Sequence, residues 1–67
     1  MNSEYAKTLF ECSCPRLFVQ RVIVRDRRRI AVGDWVTEIV KAGDVYEFFT
    51  RGGKSYTVGP NDLIEYR

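Results

Sequence analysis

Histidine is missing from this 67-residue chain, and cysteine, proline and tryptophan occur twice, twice and once. Each shortage removes something. Without imidazole, no side chain titrates near neutral pH unless it is perturbed, so acid–base catalysis would need a strongly shifted Asp, Glu, Cys or Lys. A nucleophile at Cys12 or Cys14 would lack its usual partner base. A four-ligand zinc site needs two more Cys or His than the chain has. Only one residue separates the two cysteines, and bridging them would close a very small, strained ring. They read as reduced thiols near a loop, with a metal shared between two copies as the other arrangement. The expectation is no cofactor, no metal and no enzyme. No apolar run approaches the ~20 residues that span a bilayer. The start of the chain also lacks the basic-then-apolar layout of a secretory signal. The expected setting is cytoplasmic, away from membranes.

What is present suits one small domain. Apolar residues make up 45%, including four Tyr, four Phe and the single Trp, which is too much for a disordered chain. A domain of this size buries only ~60% of the surface it exposes when unfolded, so its stability is thin.

Along the chain, residues 3–12 read as a short helix or ordered arm. Ser3 is a candidate cap, and Tyr5 with Leu9 and Ala6 with Phe10 stand one turn apart. Pro15 ends that segment. Residues 17–25 are mostly β-branched or aromatic and predict a strand with apolar groups on both faces. Arg25 to Arg29 are five consecutive charges, hence an exposed loop. Gly33-Asp34 predicts a turn, and Trp35 to Val40 alternate as a strand. Residues 41–44 predict a second turn and 45–50 another strand. Gly52-Gly53 suggests a tight hairpin with both glycines at positive φ, followed by a strand at 55–58. Pro60 cannot donate to a ladder, so 59–62 is a turn before a closing strand at 63–66.

Five strands joined by short turns imply a sheet that bends back on itself. The order of pieces resembles the Src-homology-3-like barrel: a strand opening at Gly33-Asp34, a hairpin, a Pro60-Asn61 helical turn and a last strand at Leu63-Ile64. The resemblance covers residues 17–67 and implies a mainly β, five-stranded SH3-like barrel with a 3-10 turn before the last strand. Residues 1–16 would form an N-terminal arm or short helix. Proline-rich recognition in that family uses a tyrosine-bearing first segment, a long acidic loop and a tryptophan opening the third strand. Here the first strand is Leu17-Phe18-Val19-Gln20, the loop is short and basic, and the third strand opens with Val45-Tyr46. That activity is not carried over, and the barrel itself leaves function open.

The net charge is only +2, but its distribution is uneven. Residues 16–29 hold six Arg against one acid, Asp26, which leaves the remainder of the chain at −3. Guanidinium groups are permanently charged and present a planar donor fork suited to phosphate. Arg16, Arg21, Arg25, Arg27, Arg28 and Arg29 are therefore the candidate contacts to nucleic acid or another polyanion, against the alternative of a solvated loop. A second candidate set is aromatic. Most of Trp35, Tyr46, Phe48, Phe49 and Tyr56 should fill the core, and either Phe48 or Phe49 should face outward. Trp35, Tyr46 and Phe49 are the candidate contacts to a protein partner. The expected partner is nucleic acid or an acidic protein surface, and the expected state a monomer or small homo-oligomer.

Overall fold

The computed structural model describes residues 2–12, 16–23 and 29–67. They form a mainly β domain of six antiparallel strands in one open sheet, with a single short helix. In chain order these are β1 (Asn2–Tyr5), α1 (Ala6–Glu11), β2 (Leu17–Ile23), β3 (Arg29–Ala42), β4 (Val45–Thr50), β5 (Ser55–Val58) and β6 (Leu63–Tyr66). The sheet order is β1-β6-β2-β3-β4-β5.

The sheet is bent by three irregularities in its pairing. Val32 and Gly33 on β3 face the single residue Gln20 on β2, because Val19 pairs with Asp34 and Arg21 with Ala31. Gly33 takes φ +56° there, the left-handed geometry that a bulge of this kind assigns to glycine. Thr37 is an extra residue between Val36↔Thr50 and Glu38↔Phe49. Gln20 is an extra residue against β6, between Val19↔Tyr66 and Arg21↔Glu65. Such bulges increase local twist, so β3 pairs with β2 through one half and β4 through the other.

One face of the curved sheet is the core. Leu17, Val19, Val22, Val36, Tyr46, Phe48, Val58 and Ile64 are buried on it, with Ala6 and Leu9 of α1 set against them. Ile39, Val32, Tyr56 and Tyr66 pack around the rim. The ring of Phe10 lies 5.1 Å from that of Tyr46, so α1 covers the middle of the apolar face. The N–H groups of Ala6 and Lys7 donate to the carbonyls of Asp62 and Pro60 at 3.0 and 3.4 Å. Two of the unpaired donors that every helix start leaves are thereby satisfied.

Several sequence expectations change. The chain makes six strands rather than five, because residues 2–5 are extended and pair with β6. The helix begins after Tyr5, without a side-chain cap. Pairing to the last strand offers those residues a full ladder, which outweighs the weak capping signal at Ser3. Gly33-Asp34 lies inside one long strand, Gly33 in a bulge and Asp34 paired with Val19, and is not a turn. The glycine hairpin is also different: only Gly53 has positive φ, +84°. Its loop spans residues 51–54, closed by Thr50 N–H to the Lys54 carbonyl at 2.8 Å and Gly53 N–H to the Thr50 carbonyl at 3.1 Å. The strands at 45–50, 55–58 and 63–66 fall where expected. The turn at 59–62 is held by Asp62 N–H to the Gly59 carbonyl, 3.1 Å, and by Gly59 N–H to the Asp62 carboxylate, 2.7 Å.

Candidate nucleic-acid interface

The solvent face of the sheet carries a cross-strand row of cations and aromatics. Phe18 on β2 is directly opposite Trp35 on β3. The N–H of Arg67, just beyond β6, donates to the Phe18 carbonyl at 2.9 Å, and the N–H of Arg51, just beyond β4, donates to the Trp35 carbonyl at 2.8 Å. Read across the strands, the row is Arg67, Phe18, Trp35, Arg51. It exists because the alternation that turns Leu17, Val19 and Val36 inward turns their neighbours outward.

Side-chain contacts follow the same order. The Arg67 guanidinium sits 5.4 Å from the centroid of the Phe18 ring, within cation–π range. With its amide oxygen turned toward Arg67, Gln20 accepts from Nε and Nη2 at 3.2 Å each. Phe18 and Trp35 meet nearly perpendicular, 5.6 Å between centroids, a favoured aromatic geometry. Trp35 remains 39% exposed. Its indole lines an open cleft of about 420 Å³ together with Arg16, Thr37 and Arg51.

Arg16 reaches this cleft from a left-handed backbone conformation, φ +54°. For a residue with a Cβ this region is sparsely populated and costs roughly 1–2 kcal/mol. Among the described residues, neither Arg16 nor Arg51 forms an ion pair with a carboxylate. Asp34 is the acid whose field Arg51 reaches. Its carboxylate is otherwise engaged, accepting from the Trp35 N–H at 2.7 Å and from the Gly52 N–H at 3.2 Å. The Trp35 N–H holds this carboxyl below the usual range. Partial desolvation opposes that effect, while the Gly52 N–H, the Thr50 hydroxyl and the Arg51 charge add to it. Asp34 thus fixes the backbone on both sides of the cleft, at Trp35 and next to Arg51.

The predicted site residues divide. Arg16, a candidate phosphate contact, and Trp35, a candidate protein contact, line the same cleft. Arg21 forms a two-point ion pair with Glu65, Nε to Oε1 at 2.7 Å and Nη2 to Oε2 at 3.1 Å. Its charge is therefore already compensated. Arg25, Arg27 and Arg28 lie outside the described residues, as does the side chain of Arg29, whose backbone opens β3 opposite Ile23. Tyr46 faces the core and is 5% exposed, because it alternates inward with Phe48 along β4. Phe48 is fully buried, whereas Phe49 turns to the outer face and is half-buried, opposite Glu38.

Arg51, Arg67 and Phe18 escaped the sequence reading. Arg51 and Arg67 are isolated in sequence, and only strand pairing brings them beside Phe18 and Trp35. Cys12 is an exposed free thiol after α1, and Cys14 lies outside the described residues. Among the described residues, no three Cys, Asp or Glu gather as metal ligands, and no helix is long and apolar enough to cross a membrane. Comparison with known proteins finds no family model that matches the chain, and no curated protein or solved structure that matches it.

Proposed function

We propose that this chain is a small, non-enzymatic binding domain whose partner is nucleic acid or another polyanion. The observation that supports it best is the outer row Arg67–Phe18–Trp35–Arg51 with Arg16 at its side. Three guanidiniums that form no carboxylate ion pair among the described residues, grouped around exposed aromatic surface, make a positive, partly apolar strip. Phosphate oxygens would accept from the guanidiniums, and each contact would release condensed counterions. Arg25, Arg27 and Arg28, which lie outside the described residues, remain candidate contacts by their charge alone.

The strand order also favours reading residues 17–67 as an SH3-like barrel, in which five strands run last, first, second, third, fourth. Here β6-β2-β3-β4-β5 follow that order, with a long bent β3 serving both halves and a turn at 59–62 before the last strand. In this reading β1 is an added sixth strand on β6.

A labelled oligonucleotide titrated with the protein tests the function. Affinity should fall steeply between about 50 and 200 mM salt, and a double Arg16→Glu/Arg51→Glu variant should lose binding while staying folded. An oligonucleotide that does not bind even at low ionic strength would remove the proposal. The alternative is a protein–protein interaction module, an accessory subunit or inhibitor. It draws on the exposure of Tyr5 (53%) and Val40 (38%) beside that of Trp35. It predicts a partner whose affinity changes little with salt.

A further inference from the structure

Resting on that reading, we infer that the ligand is a single-stranded nucleic acid, with one base stacked on Trp35 and the adjoining phosphates held by Arg16 and Arg51.

Charge selects among the ligands that an exposed tryptophan attracts. Aromatic cages for ammonium groups place cations against π-faces. Here the cleft is lined by two cations, Arg16 and Arg51, and by no carboxylate among the described residues, while the ionised Asp34 directs its oxygens to the backbone N–H groups of Trp35 and Gly52. A cationic ligand would be repelled. An anion is favoured, and the tryptophan then needs a flat apolar group on the same molecule. Nucleotides combine both, with a π-face on every unit and a phosphate between units.

Strandedness follows from the position of the ring. Trp35 stands within a row of four residues rather than at the tip of a loop. From the ~4.8 Å spacing of strands, that row spans about 14 Å from Arg67 to Arg51. Bases in a duplex are stacked on one another, and presenting a face to a wall-mounted ring requires unstacking. A single strand presents its faces freely, with positive groups at both ends of the row to follow its backbone. The cleft of about 420 Å³ is open to solvent, so a base could approach Trp35 without the site having to open. Phe18 packs nearly perpendicular to the indole on one side, and Arg67 over Phe18 braces that ring in turn. The stacking platform is therefore fixed before the ligand arrives.

Because Trp35 is the only tryptophan, its fluorescence reports stacking directly. Oligothymidylate and oligouridylate, a duplex of equal length, inorganic polyphosphate and polyglutamate would each be titrated into the intact chain. Quenching by the two single strands, at least about tenfold tighter than the duplex, is the expected result, and the two strands together tell DNA from RNA preference. Trp35→Ala should weaken single-strand binding about tenfold, measured with a labelled strand, without changing the salt slope. Arg16→Ala and Arg51→Ala should each flatten that slope by about 0.7. Trp35→Phe, which keeps a ring, should retain most of the affinity and guards against a folding defect in the alanine variant.

Equal binding of strand, duplex and polyphosphate with unquenched Trp35 and a harmless Trp35→Ala would overturn the stacking inference, yet leave polyanion binding standing. Tight binding of polyglutamate alone would overturn it in favour of an acidic protein partner. Silence from every probe at low ionic strength would overturn both readings.

Discussion

The carboxylate of Asp34 accepts the backbone N–H of Gly52, eighteen residues away, at 3.2 Å, and a Cβ built on Gly52 would lie 2.9 Å from the same oxygen. Glycine at 52 leaves room for this carboxylate, whereas glycine at 53 suits its left-handed φ. This contact ties the bulge of β3 to the β4–β5 loop, and Trp35 and Arg51 flank it. Gly52→Ala should lower stability by about 1 kcal/mol, and because the carboxylate must move, it should also weaken oligonucleotide binding. Chemical denaturation and a binding titration of the same variant check both effects.

Asp34 also predicts how the domain responds to acid. Its folded pKa is lowered by the Trp35 N–H first, so its stabilising contribution is complete above the unfolded value of about 3.9. It is lost as pH falls through the lower folded value. The stability difference between the wild-type chain and Asp34→Ala should be constant at neutral pH and shrink below about pH 4. Urea midpoints measured between about pH 7 and pH 2 test this.

Tyr56 gives the opposite limit. Its hydroxyl is buried without a hydrogen-bond partner among the described residues. Burial, and to a lesser degree the charge of Asp34, push its pKa well above the ordinary phenol value. The folded state keeps this tyrosine neutral where the unfolded chain ionises it, so stability is present below about pH 10 and lost above it. Tyr56→Phe removes both the ionisation and the unsatisfied oxygen. Near neutral pH it should be neutral or stabilising by up to about 1 kcal/mol, and it should reduce the alkaline loss.

Much of this organisation is readable from residue order, and what is not readable has a physical cause. Strands 45–50, 55–58 and 63–66 are separated by Gly52-Gly53 and by Gly59-Pro60, so their places in the sequence and in the structure coincide. On β2 the pattern misleads. Leu17, Val19 and Val22 all point inward because an extra residue, Gln20, switches the alternation, and an odd offset between inward residues does not reveal on which strand the bulge lies. Residues 2–5 have little intrinsic strand preference and are extended because β6 offers an edge. The arginine-rich segment was conspicuous as a run of like charge, whereas Arg51 and Arg67 join Trp35 and Phe18 only through a register that no local signal states.

Arg16 carries backbone strain within the proposed interface, which separates stability from binding. Arg16→Gly relieves the left-handed conformation and should gain up to about 1 kcal/mol, since the extra freedom of glycine in the unfolded chain offsets part of the relief. Arg16→Ala keeps the strain and should gain nothing. Both should weaken binding equally. Thermal melts and titrations of the two variants separate these effects.

Helix α1 should be integral to the domain rather than an appendage. Leu9 is 1% exposed against the open face of the sheet, and Leu9→Ala should cost about 2–5 kcal/mol, a large share of what a small domain has. Glu11→Ala, on the exposed side of the same helix, should change little. Circular-dichroism melts of the pair decide the matter.

The proposed ligand surface is the outer row of β6, β2, β3 and β4. A ¹H–¹⁵N correlation spectrum recorded during titration with oligothymidylate at low salt tests it most directly. Binding on this row should shift the Trp35 indole N–H and the amides of residues 16–18, 35–37, 51 and 67 together, while those of α1 and of the 43–44 turn stay in place. Shifts centred on Tyr5, α1 or Val40 with an unmoved Trp35 indole would contradict it.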